Sequence, residues 1–548
     1  MTEPSSIDFQ IMWNRLIAVV EEQATTLIRT AFSTSVREAG DLSAGLFDRH
    51  GRMIAQAVTG TPGHVNAMAE SVTHFVQEIG AKEIFEGDVL ITNDPWMGTG
   101  HLHDITIVSP VFRKGTHIGY FACTAHVVDV GGRGFGPDGN EVYEEGLLIP
   151  IMKFAERGQV SKDLVRLIRS NVRTPDQTVG DIYSLAACNE AGDRRLHAML
   201  DEFNIDNIDA LSEFIIETSR KATHDAIAKV PDGSFRHTMQ VDGYDAPVHM
   251  EVRLDIEGDT LLADFDGTSG MSKFGVNCPE VYTRAYACYG LKCAIAPQIP
   301  NNTGSLEPFR VTAPEGCILA AKRPAPVSVR HVMGHLVPDV VLGALHQAVP
   351  NTVPAEGASA LWNIQISARA SDPTSNLPSR EVLMFNSGGT GARPTLDGLS
   401  ATAFPSGVST MSVEATEHVG PITVWRKDLW TGSGGAGKHR GGLGQTIEIE
   451  AGEGYDLYFN AMFDRVDNPA RGRDGGQTGA PGRVELSDGT RLKSKGRQMI
   501  RNGQRLKLQL PGGGGYGTPS HRPRAAIAAD LAAGFITAEQ AKSDYGYE

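Results

Sequence analysis

Histidine and aspartate residues suited to metal binding lie close together in the segment 93–132. His101, His103 and Asp104 come from a single Gly-His-Leu-His-Asp sequence, and His126 follows in the same segment. Imidazole nitrogens and a carboxylate that converge on one point can hold a divalent ion and leave it an open coordination position. Zinc, manganese or iron bound there would lower the pKa of a coordinated water and supply hydroxide near neutral pH. The sequence therefore predicts a metal site at His101, Asp104 and His126.

A β-hairpin would bring these residues together. Residues 105–112 and 117–126 have the composition of strands, and Arg113-Lys114-Gly115 between them is typical of a turn. Paired positions in such a hairpin sum to about 228–230, which places His126 opposite residues 102–104. Hairpin geometry alone therefore predicts that the two parts of the site meet.

The neighbouring residues are weaker candidates. On an extended chain His101 and His103 would share a face and Asp104 would point away, so the loop must turn and one of these side chains faces elsewhere. We expect His103 to be that residue, with a role in contacting substrate. Asp129 lies just beyond His126, where its carboxylate could orient the His126 ring.

A second acidic cluster follows the first long helix. It contains Glu38 and Asp41 in the sequence Arg-Glu-Ala-Gly-Asp. Asp41, or failing that Glu38, could act as another metal ligand or as a base that holds the attacking water. The simpler interpretation is a solvated helix end. His64, in a loop after Pro-Gly, is equally compatible with a structural role and with substrate contact.

Two glycine-rich segments resemble nucleotide-binding loops but lack the required context. Residues 432–439 fit a Walker A loop except that His439 replaces the Ser or Thr that holds Mg²⁺, and a strand follows where a helix is needed. Residues 512–517 contain G-x-G-x-x-G, but Thr-Pro follows. Both segments are better interpreted as tight or closely packed loops, so ATP, if it is used, binds to another polypeptide.

The elements that must position these residues indicate an α+β chain. We expect an N-terminal mixed α/β region that carries the metal site at 1–230, a β-rich domain with glycine loops at 231–510, and a glycine loop with a short helical tail at 511–548. Periodicity predicts helices at 7–33, 66–78, within 161–229, at about 280–296 and at about 329–349, and a hairpin at 45–56.

Composition restricts the class of protein. The formal charge of −15 argues against nucleic-acid binding, which needs a basic face. No apolar run approaches the ~18 residues of a membrane span, and the first residues lack the order of a signal peptide. Six cysteines are too sparse for a disulfide scaffold. These features predict a cytoplasmic protein with reduced thiols.

Short motifs over nearly the whole chain carry a family resemblance. They are SVREAGDLS at 35–43, NDP at 93–95, GHLHD at 100–104, AH at 125–126, DVGG at 129–132, EEG at 144–146, DFDG at 264–267, GGTGAR at 388–393, SGGAG at 433–437 and RGG at 440–442. Together they resemble the hydantoinase B/oxoprolinase family. That family includes B subunits of ATP-dependent hydantoinases and lactamases, part of 5-oxoprolinase, and large subunits of acetone and acetophenone carboxylases.

The resemblance implies a two-subunit enzyme. A partner A subunit with an actin-like fold would use ATP and Mg²⁺ to phosphorylate the carbonyl oxygen of the substrate, and this chain would complete the reaction at its metal. The family's His, Asp, His metal pattern matches His101, Asp104 and His126. Two segments depart from the family: Arg37-Glu38 stand where Glu-Arg is usual, and Asn is more usual near Arg330.

The expected reaction is the opening of a cyclic amide such as a hydantoin, 5-oxoproline or another lactam. Asp41 or Glu38 would take a proton or complete the metal site. The residues expected to contact substrate or phosphate are His64, His103, Asp129, Arg393 and Arg440. The alternatives are a large subunit of an ATP-dependent ketone carboxylase and a non-catalytic assembly subunit. We expect a heterotetramer or larger assembly.

Overall fold

A computed structural model describes residues 5–58, 60–359 and 361–548. Its α-helices are α1 (Ser6–Thr30), α2 (Thr34–Arg37), α3 (Pro62–Ile79), α4 (Val142–Glu145), α5 (Lys162–Asn171), α6 (Pro175–Glu202), α7 (Asp209–Ile227), α8 (Glu280–Ile295), α9 (Thr303–Leu306), α10 (His331–Gly334), α11 (Val337–Ala348), α12 (Val413–Val419), α13 (Arg524–Ala532) and α14 (Ala538–Tyr545).

The strands alternate with these helices in the first half of the chain and dominate the second. They are β1 (Leu42–Asp48), β2 (Met53–Gln56), β3 (Val89–Thr92), β4 (Asp104–Arg113), β5 (Thr116–His126), β6 (Met152–Glu156), β7 (Gln159–Val160), β8 (Gly233–Val241), β9 (Val248–Glu257), β10 (Thr260–Asp264), β11 (Phe309–Thr312), β12 (Trp362–Ala370), β13 (Arg380–Asn386), β14 (Ile422–Leu429), β15 (Gln445–Ala451), β16 (Tyr455–Met462), β17 (Arg483–Leu486), β18 (Lys495–Ile500) and β19 (Arg505–Gln509). The predicted α+β class is confirmed.

The first sheet has seven strands in the order β2-β1-β5-β4-β3-β6-β7. The helices α1 and α6 cover one of its faces, and α3 covers the other. Because both faces are covered, every residue of β1 is buried and β5 reads as a continuous apolar run. The sheet is thus the middle layer of a three-layer arrangement.

The helix boundaries follow local signals. Ser5 caps α1 in a capping box with Asp8. The helix α3 begins at Pro62, earlier than the expected 66, because proline is well suited to the first turn. The helix expected at 329–349 is divided into α10 and α11. Pro338 lies in the first turn of α11, where it cannot donate a backbone hydrogen bond to a preceding turn.

Three four-stranded sheets form the rest of the chain. The order β11-β10-β9-β8 describes the second sheet, on which α8 and α11 pack. The third sheet, β13-β12-β16-β18, and the fourth, β14-β15-β19-β17, share a hydrophobic core around residues such as Ile364, Ile447 and Leu508. Buried and partly buried residues alternate in β16 and β19, as expected for strands with one covered face.

Glycine segments pack backbone against backbone beside these two sheets. The amide of Gly435 donates to the carbonyl of Gly513, that of Gly513 to Gly442, and that of Gly442 to Thr390. A Cβ atom at Gly441 or Gly513 would collide with the backbone of the neighbouring segment. Both suspected nucleotide loops belong to this layer and neither precedes a helix that could receive phosphate. The division of the chain at residues 230 and 510 stays a prediction.

None of the helices in the described ranges combines the length and the apolar character that a membrane crossing requires.

Candidate metal centre

The predicted hairpin is confirmed in type and in register. β4 and β5 are antiparallel neighbours, Asp104 lies opposite His126, and Lys114 and Gly115 adopt the positive φ values of the tight turn. Thr106 and Thr124, two residues further along each strand, hydrogen-bond to each other at 2.8 Å. Side chains two residues apart share a face, so Asp104 and His126 lie on the face of the sheet that α3 covers.

The loop before β4 brings His101 to the same place. The side-chain amide of Asn93 holds this loop by donating to the carbonyl of Leu102. Nδ1 of His101 lies 2.7 Å from the carbonyl oxygen of Ser328, which can only accept a hydrogen bond. Nδ1 therefore carries the proton, and the lone pair of Nε2 points towards Oδ1 of Asp104 at 2.7 Å.

The two oxygens of Asp104 have different surroundings. Oδ2 is held by the Thr99 hydroxyl at 2.8 Å, by the Arg330 guanidinium at 2.5 Å and by Nε2 of His64 at 2.9 Å. Oδ1 faces Nε2 of His101 and Nδ1 of His126, the latter at 3.2 Å. Burial opposes ionisation, but the charges of His64 and Arg330 hold the pKa of Asp104 well below its ordinary value. One oxygen is thus anchored and the other is presented to the imidazoles.

The donor set fits a divalent cation. Burial and the charge of Arg330 lower the pKa of His101 to about 3, and burial lowers that of His103 well below its ordinary value, so both imidazoles are neutral. Ligand atoms of His101, Asp104 and His126 all lie within 4.8 Å of one another. The Nε2 lone pair of His101 and the Asp104 carboxylate face each other in a buried site. They repel each other unless a cation binds to both. Nε2 of His126 is also buried without a hydrogen-bond partner in the part of the chain that the structure describes.

His103 is the least engaged of the three histidines. Its ring stacks on that of His126 at 5.4 Å, and neither of its nitrogens has a hydrogen-bond partner among residues 5–58, 60–359 and 361–548. Its ligand atoms are outside the compact group formed by the other two histidines and Asp104. The rings of all three pack against Phe135, which is itself buried.

Arg330 is a site residue that the sequence marked only as a departure from the family and not as a member of the site. Its Nε donates to the carbonyl of Thr99 and its guanidinium lies 4.1 Å from the centre of the Tyr282 ring. Gly100 has φ of +99°, and a Cβ there would lie 2.9 Å from Nε of Arg330. The absence of a side chain at Gly100 lets Arg330 reach Asp104, which is far away in the sequence.

Two histidines of the same segment also line the site and were not among the predicted site residues. His331 and His335 are buried, and burial lowers the pKa of His331 well below its ordinary value and that of His335 to about 3. His331 stacks on Phe135 at 5.7 Å. Their spacing of four residues, which puts two side chains on one face of a helix, was the available signal.

Asp41 and His64 reach the site from neighbouring elements. Asp41 precedes β1, and its backbone carbonyl accepts the amide of His126. Its Oδ1 accepts the Thr61 hydroxyl at 3.1 Å, and its Oδ2 lies 4.0 Å from Nδ1 of His126. His64 lies in the first turn of α3, and although its burial opposes protonation, Asp104 and Asp41 raise its pKa.

The remaining candidates lie away from this cluster. Glu38 is exposed and pairs with Arg37. Asp129 does not contact His126, because its oxygens accept from the amide of Gly131 and from Arg173. Arg393 donates to the carbonyl of Asp397, and Arg440 is buried against Asp530. Neither arginine lines the cavity beside the histidines.

That cavity has a volume of about 20 Å³, which is room for little more than one water molecule. Its walls are Asp41, Thr61, His64, His101, His126, Phe135, Tyr282, Arg330, His331, His335, Leu361, Asn363 and Val408. Imidazoles and the Asp41 carboxylate therefore line a space suited to a metal ion and its water, beside the anchored Asp104.

A buried carboxyl supports the site from behind. Oε1 of Glu145 accepts the amides of Val327 at 2.7 Å and Ser328 at 2.8 Å, and the carbonyl of Ser328 then accepts His101. Burial raises the pKa of Glu145 to about 8. Glu145 thereby fixes the backbone that determines which nitrogen of His101 carries its proton.

Known proteins share this chain's sequence and fold. Residues 5–519 match the family model described as hydantoinase B/oxoprolinase. The putative B component of a D-/L-hydantoinase from a Pseudomonas species is 28% identical over 98% of this chain and 94% of its own. The crystal structure of the ATP-dependent caprolactamase of Pseudomonas jessenii has a TM-score of 0.90 and 27% identity, and covers 100% of this chain and 96% of its own.

A more distant likeness concerns the fold alone. The nucleotide-free structure of an acetone carboxylase has a TM-score of 0.87 at 20% identity, and covers 99% of this chain and 80% of its own. The family model, the relatives along the full chain and the shared fold agree with the resemblance carried by the sequence motifs. The chain belongs to the hydantoinase B/oxoprolinase family.

Proposed function

We propose that this chain is the metal-dependent B subunit of a two-component, ATP-dependent amidohydrolase that opens a cyclic amide. The observation that carries the proposal is the buried group of His101, Asp104 and His126, whose ligand atoms lie within 4.8 Å of one another. Membership of a family that includes a caprolactamase and a hydantoinase component supports a hydrolytic reaction.

The chemistry explains why two components are needed. An amide carbonyl is a poor electrophile, and transfer of a phosphoryl group from ATP to its oxygen activates the carbon. Water then adds to that carbon, the carbon–nitrogen bond breaks as nitrogen takes a proton, and a second water releases phosphate from the acyl group. The described glycine segments offer no helix N-terminus for ATP, so an ATP-binding A subunit, with an actin-like fold, would perform the first step.

Six residues of the site have a part in the proposed hydrolytic step. A divalent ion held by His101, Asp104 and His126 would activate water near neutral pH as a Lewis acid. Asp41, which accepts only the Thr61 hydroxyl within 3.5 Å among the described residues, takes the proton from the attacking water. His64, which lines the cavity, and His103 would contact the substrate. Zinc, manganese and iron all suit this mixed nitrogen and oxygen set.

The assembly and location follow from the same proposal. Because the substrate must pass from one active site to the other, we propose a stable hetero-oligomer, a heterotetramer or larger, in the cytoplasm. The alternatives are a ketone carboxylase, whose fold the chain shares, and a non-catalytic assembly subunit. The amidohydrolase and the two alternatives predict different results in the following experiment.

The experiment combines metal analysis with an activity assay. The chain would be co-expressed with its A subunit and supplied with lactams or hydantoins and ATP without bicarbonate. We expect about one metal ion per chain and ATP-dependent ring opening, and we expect both to be lost in His101→Ala and His126→Ala. His117→Ala is the matched control, because His117 lies at the far end of β5, where its ring packs on Phe112 and Tyr120 of the same hairpin.

The possible results separate the three functions. Wild-type protein without metal above background would contradict the metal-dependent mechanism and favour an assembly subunit. Turnover that requires bicarbonate and leaves the ring closed would favour the carboxylase. Ring opening without bicarbonate excludes an obligatory carboxylase.

A further inference from the structure

A second cavity shares a wall with the metal cavity. It has a volume of about 250 Å³, and Phe135, which packs against His101, His103 and His126, lines both cavities. A ligand in the larger cavity would therefore lie one aromatic side chain away from the imidazoles. We call this larger cavity the arginine pocket, because Arg133, Arg173, Arg369 and Arg497 all line it.

The outer face of the third sheet forms the floor of the arginine pocket. Ser367 of β12 lies opposite Tyr458 of β16, and Asn460 of β16 lies opposite Arg497 of β18. The loop that carries Phe135 forms the opposite wall. Gly136 allows this loop to pack directly on Asn460, because a Cβ at Gly136 would collide with the Asn460 amide. The floor and the wall are thus in direct contact next to Phe135.

Two of the four arginines, Arg369 and Arg497, have no carboxylate partner among the residues that the structure describes. The guanidinium groups of Arg369 and Arg497 each lie 5.5 Å from the centre of the Tyr458 ring. Within the described residues, neither side chain forms an ion pair or donates a hydrogen bond to an acceptor of the protein. Both arginines are exposed, and both line the same pocket beside the Tyr458 ring, so their charges together favour an anionic ligand there.

The acidic residues of the pocket are already engaged. Asp129 pairs with Arg173, and Asp138 accepts the Tyr244 hydroxyl. Glu381 accepts the side chains of Gln365 and Ser367 through one oxygen. None of these three carboxylates pairs with Arg369 or Arg497 among the ion pairs of the described chain. These two guanidinium groups therefore keep all of their donors for a ligand.

The geometry points to a binding site for a phosphoryl group. We propose that Arg369 and Arg497 bind the phosphate of the O-phosphorylated substrate and so hold its activated carbon on the Phe135 side of the pocket. This inference rests on the proposed function, which requires such a phosphorylated species. Planar guanidinium groups bind phosphate through paired, charge-assisted hydrogen bonds, which a lysine could not reproduce. The phosphate contacts would then lie on β12 and β18, and not at Arg393 or Arg440.

Isothermal titration of the purified full-length chain tests this site without any turnover. The probes are inorganic phosphate and methyl phosphate, a small monoester that imitates the phosphorylated carbonyl oxygen. We expect both to bind wild type, and Arg369→Gln and Arg497→Gln each to weaken binding by about tenfold or more, as the loss of a charge-assisted hydrogen bond implies. Arg380→Gln is the matched control, since Arg380 is an exposed arginine of the same sheet outside the pocket.

The results distinguish failure of this site from failure of the proposed function. No binding of methyl phosphate to wild type, or equal binding to wild type and both pocket variants, would overturn the phosphoryl site. Metal content is measured in the same samples and should be unchanged in the pocket variants, because Arg369 and Arg497 do not contact the ligand group. Phosphate binding with the expected variant effects in a metal-free wild type would contradict the proposed metal mechanism alone.

Discussion

Asp41 and Asp104 are two buried carboxylates beside the same histidines, and they have very different partners. Asp104 is neutralised by Arg330 and surrounded by imidazoles, and its free oxygen points into the compact group of ligand atoms. Among the described residues, the Asp41 side chain accepts one hydrogen bond, from Thr61, and it lies at the edge of that group. A carboxylate that a neighbouring positive charge holds in place is suited to binding a metal. A carboxylate with few hydrogen bonds is better suited to accepting a proton.

Replacement of Asp41 by asparagine tests this assignment. We expect Asp41→Asn to lower kcat by about 10²–10⁴, because an amide cannot accept the proton of the attacking water. Metal content should stay at the wild-type level, because His101, Asp104 and His126 are unchanged. The measurements are steady-state ring opening with the partner subunit and metal analysis of the same preparation.

Glu38→Gln is the control for this substitution. Glu38 belongs to the same acidic cluster in sequence, but it is exposed and pairs with Arg37, so its replacement should leave kcat and metal content unchanged. Loss of metal from Asp41→Asn would instead identify Asp41 as a fourth ligand. Full activity of Asp41→Asn would remove it from the mechanism.

At the scale of elements, the loop before β4 depends on one glycine. Gly100 has φ of +99°, and a Cβ there would press against Nε and Cδ of Arg330. Gly115, in the turn of the β4–β5 hairpin, has φ of +78°, and a Cβ there would meet no other atom within 4 Å. The two glycines therefore share a backbone conformation that disfavours other residues and differ in what a side chain would meet.

Substituting alanine at Gly100 and at Gly115 distinguishes the effect of backbone strain from the effect of displacing Arg330. Both Gly100→Ala and Gly115→Ala should lose about 1–3 kcal/mol of stability from backbone strain. Only Gly100→Ala should also weaken metal binding, since it moves Arg330 away from Asp104. Thermal unfolding measures the first effect and competition with a chelator measures the second. Equal metal affinity in the two variants would show that Arg330 does not hold the ligand in place.

The hairpin was predictable because its geometry is local. Turn residues set the register of β4 and β5, and the register places Asp104 opposite His126. Arg330 joins Asp104 across a separation of 226 residues, and no periodicity encodes such a contact. His331 and His335 likewise reach the site only through the packing of α10. The glycine layer was predicted only as closely packed loops, because backbone packing between distant segments leaves no side-chain pattern.

At the scale of the whole molecule, a buried ion network joins the second and third sheets. The guanidinium of Arg465, which follows β16, donates to Asp339 of α11 at 2.9 Å and to Glu356 at 3.2 Å. Arg465 is only 2% exposed. Since α11 directly follows α10, which begins at His331, the network also fixes the element that brings two histidines to the metal centre.

The protonation states of this network give it a pH dependence. Burial, aided by Glu356, raises the pKa of Asp339 to about 6. Burial opposes the ionisation of Glu356 as well, but Arg465 and other partners lower its pKa below its ordinary value. Without the Arg465 charge both folded-state pKa values would rise, so each carboxyl would take up a proton at a higher pH. The cost of removing Arg465 should therefore be smaller at low pH, where the carboxyls become neutral, and larger at high pH, where they stay charged.

We expect Arg465→Met to destabilise the chain by about 3–5 kcal/mol at pH 8, because it leaves two buried carboxylates with less compensation. The loss should shrink at pH 5, where protonation of Asp339 removes one of the charges. Arg426→Met is the control, because Arg426 forms exposed ion pairs, which contribute about 0–1 kcal/mol. Urea unfolding at both pH values measures the difference. If Arg465→Met lost the same stability at pH 5 and pH 8, uncompensated carboxylate charge could not be the cause of the loss. The packing of the long Arg465 side chain would then be what stabilises the contact between the second and third sheets.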